Sequence, residues 1–263
     1  MSYTDLRTHL VNNGRVERDS DHFRLILPPT GAATYADAQI DDYPHEPPRR
    51  FTNAPPQHLR LRARFSHTDM KGTAGFGFWN HPFDRDGGVL APPCNAWFFY
   101  SSPESSLQVA QHGPSHGFKA SLLNSSLGLR SSGRAAQAFN RLTDAAIRLA
   151  TPALNLLLRA PGLSGLVLSA ARSAVQPRET ALDLDMTKWH EYSLDWRADI
   201  APFDVDGRQV LRAPNPPRAP LGFVAWVDNY RATAGGSRRY EFAYVEVTQE
   251  QWMELQILDW SAE

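Results

Sequence analysis

The sequence contains one cysteine, three lysines and no long apolar run. A single cysteine cannot form an internal disulfide, which fits a reducing compartment. The first twenty residues have no apolar stretch of the kind found in a secretory signal, so we expect a cytoplasmic protein. No apolar run reaches the roughly 18 residues that a transmembrane helix needs. A net charge of −1 gives no electrostatic reason to expect nucleic-acid binding.

Short motifs of common catalytic and cofactor sites are also missing. The chain has no G-x-G-x-x-G, no Walker loop and no G-x-S-x-G nucleophile elbow. His112 and His116 have the spacing of a zinc-binding helix, but Gly113 and Pro114 prevent a regular helix there. We therefore expect neither a metal site nor a bound cofactor.

What the sequence does contain is a series of strand patterns. The stretch "HLRLRARFS" alternates for eight residues, which is typical of an antiparallel strand with one buried face. One face carries Leu59, Leu61, Ala63 and Phe65, and the other carries Arg60, Arg62 and Arg64. We interpret the arginines as a solvated outer face of a sheet.

Four further stretches predict strands, at residues 189–196, 200–205, 221–228 and 240–248. Asp206-Gly207 predicts a two-residue hairpin turn, because glycine accepts a positive φ. Prolines fall between these stretches, where they do not interrupt a sheet ladder. The prediction is one all-β domain over residues 1–263, a two-sheet antiparallel β-sandwich, with residues 1–20 peripheral.

Residues 132–175 interrupt the strand pattern with alanine and leucine at helical spacing. Thr151-Pro152 resembles a helix start and Pro161-Gly162 a break, so we predict two or three short helices inserted into the sandwich. Several of their turns are apolar on nearly every side. The insertion could be a packed layer, a lid over a ligand, or an interface with a membrane surface or a second subunit.

The segment "WHEYSLDWRADIAPFDVDG" resembles part of a concanavalin A-like jelly roll of the glycoside hydrolase family 16 type. That family has a W-H-x-Y strand, a strand that ends in V-D-G, and a central strand beside its cleft, here "LGFVAWVDN". The aromatic stretch "GFGFWN" is similar to the strand that precedes the catalytic one. The resemblance implies the sandwich fold and a cleft on one sheet.

The resemblance also places a catalytic strand at "NAWFFY", where the family carries E-x-D-x-E or E-x-D-x-x-E. Such enzymes need one carboxyl to attack the sugar and another to protonate the leaving oxygen. Asn95, Trp97 and Tyr100 stand at the positions of the three acids, and Glu104 is an isolated acid nearby. We predict that the chain is not a glycosidase of this mechanism.

Two kinds of function remain. In the first, an aromatic cleft under the predicted helices binds a hydrophobic polyketide, terpenoid or lipid, with or without cyclase or isomerase activity. The candidate catalytic residues are Asp228, His81 and Tyr100. The candidate ligand-binding residues are Trp79, Asn95, Trp97, Phe99, Trp226, Asn229 and Tyr230. In the second, the chain is an inactive carbohydrate-binding relative of the hydrolases. The missing signal and the insertion favour the first, whereas the absence of a recognisable catalytic set favours the second or a plain binding role. We prefer the first, and the sequence leaves the oligomeric state open.

Overall fold

The structure is a computed structural model that describes residues 5–44, 51–81, 93–106, 115–124, 177–233 and 241–262. The segment 132–175, where the sequence predicts helices, lies outside the described residues. Throughout the described part the regular elements are strands, and no helix there is long and apolar enough to cross a membrane.

Sixteen strands follow one another along the described chain. They are β1 (Arg7–Val11), β2 (Arg15–Asp19), β3 (His22–Leu27), β4 (Asp37–Asp41), β5 (Gln57–Phe65), β6 (Thr73–Trp79), β7 (Cys94–Ser101), β8 (Gly117–Asn124), β9 (Arg178–Ala181), β10 (His190–Trp196), β11 (Ile200–Val205), β12 (Arg208–Pro214), β13 (Gly222–Asp228), β14 (Tyr230–Thr233), β15 (Glu241–Tyr244) and β16 (Gln251–Ser261). They form two seven-stranded antiparallel sheets and a small hairpin of β14 and β15.

We call the sheet with the order β1-β4-β13-β6-β7-β8-β9 the front sheet, and the one with the order β12-β11-β10-β5-β16-β3-β2 the back sheet. The inner faces of the two sheets pack together and form the core. Aromatic rings meet across it, with Phe98 of the front sheet 5.0 Å from Tyr192 and 5.4 Å from Phe203 of the back sheet. The predicted two-sheet sandwich is confirmed.

Strand β5 confirms the alternating pattern most directly. Leu59, Leu61, Ala63 and Phe65 are all buried in the core. Arg60 and Arg62 are exposed on the opposite face. The predicted hairpin is present as well, because Asp206 and Gly207 both have positive φ and join β11 to β12. This is the geometry of a two-residue turn that follows the twist of its strands.

The N-terminal residues were wrongly predicted to be peripheral, and one strand near the C-terminus was predicted too long. Residues 7–11 and 15–19 are not peripheral, since β1 pairs with β4 in the front sheet and β2 pairs with β3 in the back sheet. Their side chains are largely exposed because both strands lie at sheet edges, which removes the apolar alternation. The strand predicted over 240–248 ends at Tyr244, and the long strand β16 follows it.

Candidate ligand-binding face

The outer face of the front sheet carries a layer of aromatic side chains. Side chains alternate along a strand, so residues that oppose each other across strands share a face. Trp79 opposes Asn95 and Gly77 opposes Trp97, while Phe98 and Tyr100 of the same strand point into the core. Trp226 of β13 lies on the outer face too. We call Tyr43, Phe51, Trp79, Trp97, Phe99 and Trp226 the aromatic layer.

Trp97 is the centre of this layer. Its ring centroid lies 5.2 Å from that of Trp79, 5.3 Å from Phe99 and 5.1 Å from Trp226. Trp97 and Trp226 are only 9% and 8% exposed, whereas Trp79 and Phe99 are half-buried. Offset and tilted contacts at these separations are those that aromatic pairs prefer. The outer face is therefore a packed apolar surface whose rim is formed by the more exposed rings.

Glycines on the neighbouring strands make room for the rings. A Cβ atom on Gly75 would lie 2.9 Å from a ring carbon of Trp226, and one on Gly222 would lie 2.5 Å from the Tyr43 ring. Any larger residue at these positions would displace the aromatic side chains. The glycines of "GFGFW" thus leave space for the aromatic rings, and their spacing of two residues in the sequence indicates the layer.

A buried ion pair borders the layer on the side of β8 and β9. Lys119 Nζ lies 2.9 Å from Glu179 Oε1, with side-chain exposures of only 4% and 2%. The Ser121 hydroxyl donates to the same carboxylate oxygen at 3.2 Å. Lys119 Nζ also lies 5.5 Å from the centre of the Phe99 ring. The pair places a charged, hydrogen-bonding group directly beside the apolar surface, and sequence reasoning missed it because the two residues are 60 positions apart.

The opposite border is polar as well. Asp41 of β4 accepts a hydrogen bond from Gln39 Nε2 at 2.7 Å and one from the Tyr43 backbone N–H at 2.9 Å. Arg7 of β1 lies 3.1 Å from the same carboxylate. These contacts fix the position of the Asp41 carboxylate, and the Arg7 guanidinium offsets its negative charge.

Asn95 stands out among the polar groups of this face. It is 4% exposed, and its Oδ1 atom is buried without a hydrogen-bond partner in the described part of the chain. Its cross-strand neighbours are Trp79 and Leu123, so the side chain lies among apolar groups. A buried acceptor without a partner costs about 1–3 kcal/mol. Such a group calls for an explanation, and a ligand donor supplies one.

Asp228, a predicted catalytic residue, is instead the hub of a buried hydrogen-bond network at the end of β13. Its Oδ1 accepts from the Thr73 hydroxyl at 2.7 Å, from the Thr73 N–H at 3.1 Å and from the Tyr230 N–H at 3.0 Å. The Tyr35 hydroxyl donates to Oδ2 at 3.4 Å. Trp226 Nε1 donates to the Thr73 hydroxyl at 2.9 Å, which connects the aromatic layer to this network.

A second carboxyl lies next to this network. Asp37 of β4 is the cross-strand partner of Asp228, and both are buried. Burial raises the pKa of Asp228 to about 6, although the donors from Thr73 and Tyr230 act in the other direction. Burial and the nearby carboxyls of Asp228 and Asp41 raise the pKa of Asp37 well above its ordinary value. The sequence predicted Asp228 as a site residue, but no feature of it indicated that Asp37 lies beside Asp228.

The three predicted catalytic residues do not come together. His81 lies at the edge of the aromatic layer, with its ring 5.3 Å from Trp79 and 5.6 Å from Tyr43. Asp228 is buried at the far end of the strand that pairs with β6. Tyr100 faces the core, where its hydroxyl donates to the Met70 carbonyl at 2.9 Å. The prediction for Tyr100 was wrong because β7 alternates regularly, so Phe99 shares the face of Asn95 and Trp97.

Asn229 and Tyr230 are also separate from the aromatic layer. Asn229 is fully buried, and its amide accepts from the Ala36 N–H and donates to the carbonyls of Thr34 and Val245. It fastens strands together and offers no atom to a ligand. Tyr230 belongs to the β14–β15 hairpin, where its ring contacts those of Tyr35 and Tyr244. Strand β13 ends at Asp228, so Tyr230 does not continue the face of Trp226 and Asp228.

The outward positions of β7 present no carboxyl group. Retaining and inverting glycosidases both require two carboxyl groups on opposite sides of the glycosidic bond. The outward positions of β7 carry Asn95, Trp97 and Phe99 instead. Within the described ranges, no group of three histidine, cysteine, aspartate or glutamate side chains is arranged to hold a metal ion.

The strand order defines a two-sheet antiparallel β-sandwich, and several solved structures are similar to it. A laminarinase from Flavobacterium sp. UMI-01 is 10% identical with a TM-score of 0.44, over 98% of this chain and 95% of that one. The GlcNAcα1-4Gal-releasing endo-β-galactosidase from Clostridium perfringens is 10% identical with a TM-score of 0.44, over 94% of this chain.

A sialidase is 10% identical with a TM-score of 0.43, over 98% of this chain. The chain spans only 17% of the sialidase and 54% of the endo-β-galactosidase. No family model and no curated protein matches the sequence. At these identities and TM-scores the similarity concerns the path of the strands and does not extend to activity.

Proposed function

We propose that this chain binds a hydrophobic small organic molecule against the aromatic layer and does not act as a family 16-type glycosidase. The observation that carries the proposal is the set of contiguous rings around Trp97 on the outer face of the front sheet, where β7 presents no carboxylate. An apolar surface with a few fixed polar groups is the usual composition of a small-molecule site. A polyketide, terpenoid or lipid has the matching character.

The polar groups at the border indicate what else the ligand carries. Asn95 Oδ1 accepts hydrogen bonds only, so it fits a hydroxyl or N–H donor on the ligand. The buried Lys119–Glu179 pair lies on the neighbouring strands β8 and β9, with Lys119 Nζ 5.5 Å from the centre of the Phe99 ring. The proposed ligand is therefore an apolar molecule with at least one hydrogen-bond donor. We propose a cytoplasmic location for the protein.

The proposal is for binding, with no turnover assigned. Of the residues predicted for cyclase or isomerase chemistry, only His81 lies beside the aromatic layer.

Carbohydrate binding is the second candidate, and the same border groups favour it. Asn95, Ser121 and the Lys119–Glu179 pair could hydrogen-bond sugar hydroxyls, and the half-buried rings of Trp79 and Phe99 could stack on a sugar. The low exposure of Trp97 and Trp226 argues against an extended stacking platform. Organic extraction and mass spectrometry of the purified protein should yield a bound apolar compound. Glycan-array binding that disappears in Trp97→Ala would instead establish the carbohydrate reading.

Asn95→Leu provides a second, quantitative test. Leucine has a similar size and removes the buried acceptor without a partner, so we expect the ligand-free protein to gain about 1 kcal/mol of stability. The same change should weaken binding of the extracted compound about tenfold, which corresponds to one lost hydrogen bond. Urea unfolding and titration calorimetry measure the two effects.

Asn53→Leu is the matched control. Asn53 is equally buried, but its amide donates to Asp42 at 2.6 Å and to the Leu221 carbonyl at 3.2 Å. Its loss should destabilise the protein by about 1–3 kcal/mol. If Asn95→Leu destabilises the protein to the same extent, Asn95 is a structural residue and the proposed contact with the ligand is wrong.

A further inference from the structure

The outer face of the back sheet contains a pocket that is unrelated to the aromatic layer. It has a volume of about 290 Å³ and lies on the opposite side of the sandwich. Residues from the β2–β3 turn, including Asp19 and Asp21, form one wall, and Arg62 of β5 with Trp189 forms the other. Gln256 of β16 lies between them, because it pairs with His22 on one side and with Arg62 on the other.

Arg62 differs from the other arginines of its strand. Arg64 Nε lies 2.6 Å from Glu254, and Arg60 lies 3.7 Å from Glu191. Arg62 packs its guanidinium 4.9 Å from the Trp189 ring but forms no hydrogen bond or ion pair within the described part of the chain. Glu191 is its direct cross-strand neighbour, so a partner was within reach. An arginine that lies over a tryptophan ring, with no hydrogen-bond partner for its N–H groups among the described residues, is suited to a carboxylate.

The opposite wall carries the complementary charge. Asp21 Oδ2 accepts from Gln256 Nε2 at 2.8 Å, while Asp19 has only a 3.5 Å contact with the Ser20 hydroxyl. Two carboxylates on one turn favour a cation over a neutral donor. Beside them, His22 Nε2 is buried and has no partner among the described residues. The pocket therefore has two carboxylates at one end and a guanidinium at the other. Between them lies the His22 Nε2 atom, which has no hydrogen-bond partner among the described residues.

We propose that this pocket binds a small zwitterion of amino-acid size, with its carboxylate on Arg62 and its ammonium group beside Asp19 and Asp21. A purely anionic ligand would be repelled by the two aspartates, and a neutral sugar would leave both charged walls without a partner. The Trp189 ring then contacts the apolar part of the ligand. His22 Nε2 and the Gln256 side chain supply the remaining polar contacts from the floor of the pocket.

Titration calorimetry and saturation-transfer NMR at low salt would test this with L-phenylalanine as the probe. L-phenylalaninamide lacks the carboxylate, N-acetyl-L-phenylalanine lacks the ammonium group, and glucose represents a neutral sugar. We expect L-phenylalanine to bind with a Kd on the order of 1 mM and each blocked form to bind about tenfold more weakly. Glucose should not bind at this face.

Arg62→Gln should weaken L-phenylalanine binding about tenfold, since it removes the charge that faces the carboxylate. Arg60→Gln is the matched control, because Arg60 lies on the same face of the same strand but outside the pocket. It should change the affinity less than about twofold. Both arginines are exposed, so both variants should fold. The proposal is overturned if L-phenylalanine does not bind, if the blocked forms bind equally well, or if both variants lose the same affinity.

Discussion

The outer faces of the two sheets are opposites. Strand β7 of the front sheet is buried on both faces, since it has the aromatic layer outside and the core inside. Strand β5 of the back sheet is buried on one face and charged on the other, and Arg60 and Arg62 are exposed there. Both are near-central strands of seven-stranded antiparallel sheets. The two sheets differ in what covers their outer faces. Aromatic rings pack on the front sheet, whereas exposed arginines cover this part of the back sheet.

The two sheets also differ in how deeply their charged side chains are buried. The front sheet buries Lys119 with Glu179 and places Asp37 beside Asp228, both at a cost in desolvation. The back sheet spreads its ion pairs over a solvated surface, as with Arg60 and Glu191, both about half exposed. Solvated ion pairs contribute little to stability, and the cost of desolvating them is small. Costly buried charges are typical of functional faces, and here they lie on the face that we assign to ligand binding.

The largest expected difference concerns tryptophans on the two faces. Trp226→Ala on the front sheet should cost about 3–5 kcal/mol, because the ring is buried against Trp97 and its N–H donates to Thr73. Trp189→Ala on the back sheet should cost about 1 kcal/mol, because Trp189 is half-exposed. Urea unfolding of both variants gives the comparison. Equal costs would mean that the aromatic layer is not a packed surface.

Ion pairs give the next largest contrast. Lys119→Met removes the cation that lies 2.9 Å from the buried Glu179 carboxylate, and we expect a loss of about 3 kcal/mol. Arg60→Met breaks an exposed 3.7 Å contact and should cost less than about 0.5 kcal/mol.

The double variant Lys119→Met/Glu179→Met separates pairing from packing. With both charges removed, the buried site should regain most of the lost stability. If Lys119→Met alone proves harmless, Glu179 does not depend on this lysine and the pair does not behave as a buried one. Thermal unfolding at two salt concentrations would show in addition that only the exposed pair is screened.

The smallest expected effect concerns pH. Burial raises the pKa of Asp228 from 3.8 to about 6 in a site that Asp37, Asp41, Tyr35 and Tyr230 also face. The folded chain then holds this proton more tightly than the unfolded chain does. The stability that Asp228 contributes is fully present below pH 3.8 and is lost as the pH rises through 6, with about 2 kcal/mol of it lost between pH 4 and pH 6.

Asp228→Asn should remove this dependence. The amide oxygen keeps the acceptor for Thr73 and Tyr230, while the group no longer titrates. The stability difference between wild type and variant should therefore change between pH 4 and 6 in favour of the variant, as measured by unfolding across that range. A constant difference would show that Asp228 titrates normally. On the back sheet, hydrogen bonds from His190 and Glu191 lower the pKa of Asp206, so Asp206→Asn should give the opposite sign.

Much of the fold could be predicted from short stretches of sequence. The alternation of β5, the strand β11 and the Asp206-Gly207 turn each depend on neighbouring residues, and all three were predicted correctly. The edge strands β1 and β2 were missed, since their exposed side chains produce no apolar period. Asn95, Trp97, Phe99, Trp79 and Trp226 were correctly assigned to one face. Tyr100 was not, because an assumed extra residue in β7 shifted the alternation by one.

The sequence by itself determined which stretches form strands, which side of each strand is apolar, and that β7 carries no catalytic acid. Period-two alternation and turn chemistry act over a few residues, so they can be recognised without a structure. Only the tertiary structure brought Trp226 onto Gly75, paired Lys119 with Glu179, set Asp37 beside Asp228 and left Arg62 without an acid among the described residues. These contacts depend on strand order and register, which are decided by pairing between residues far apart in the chain.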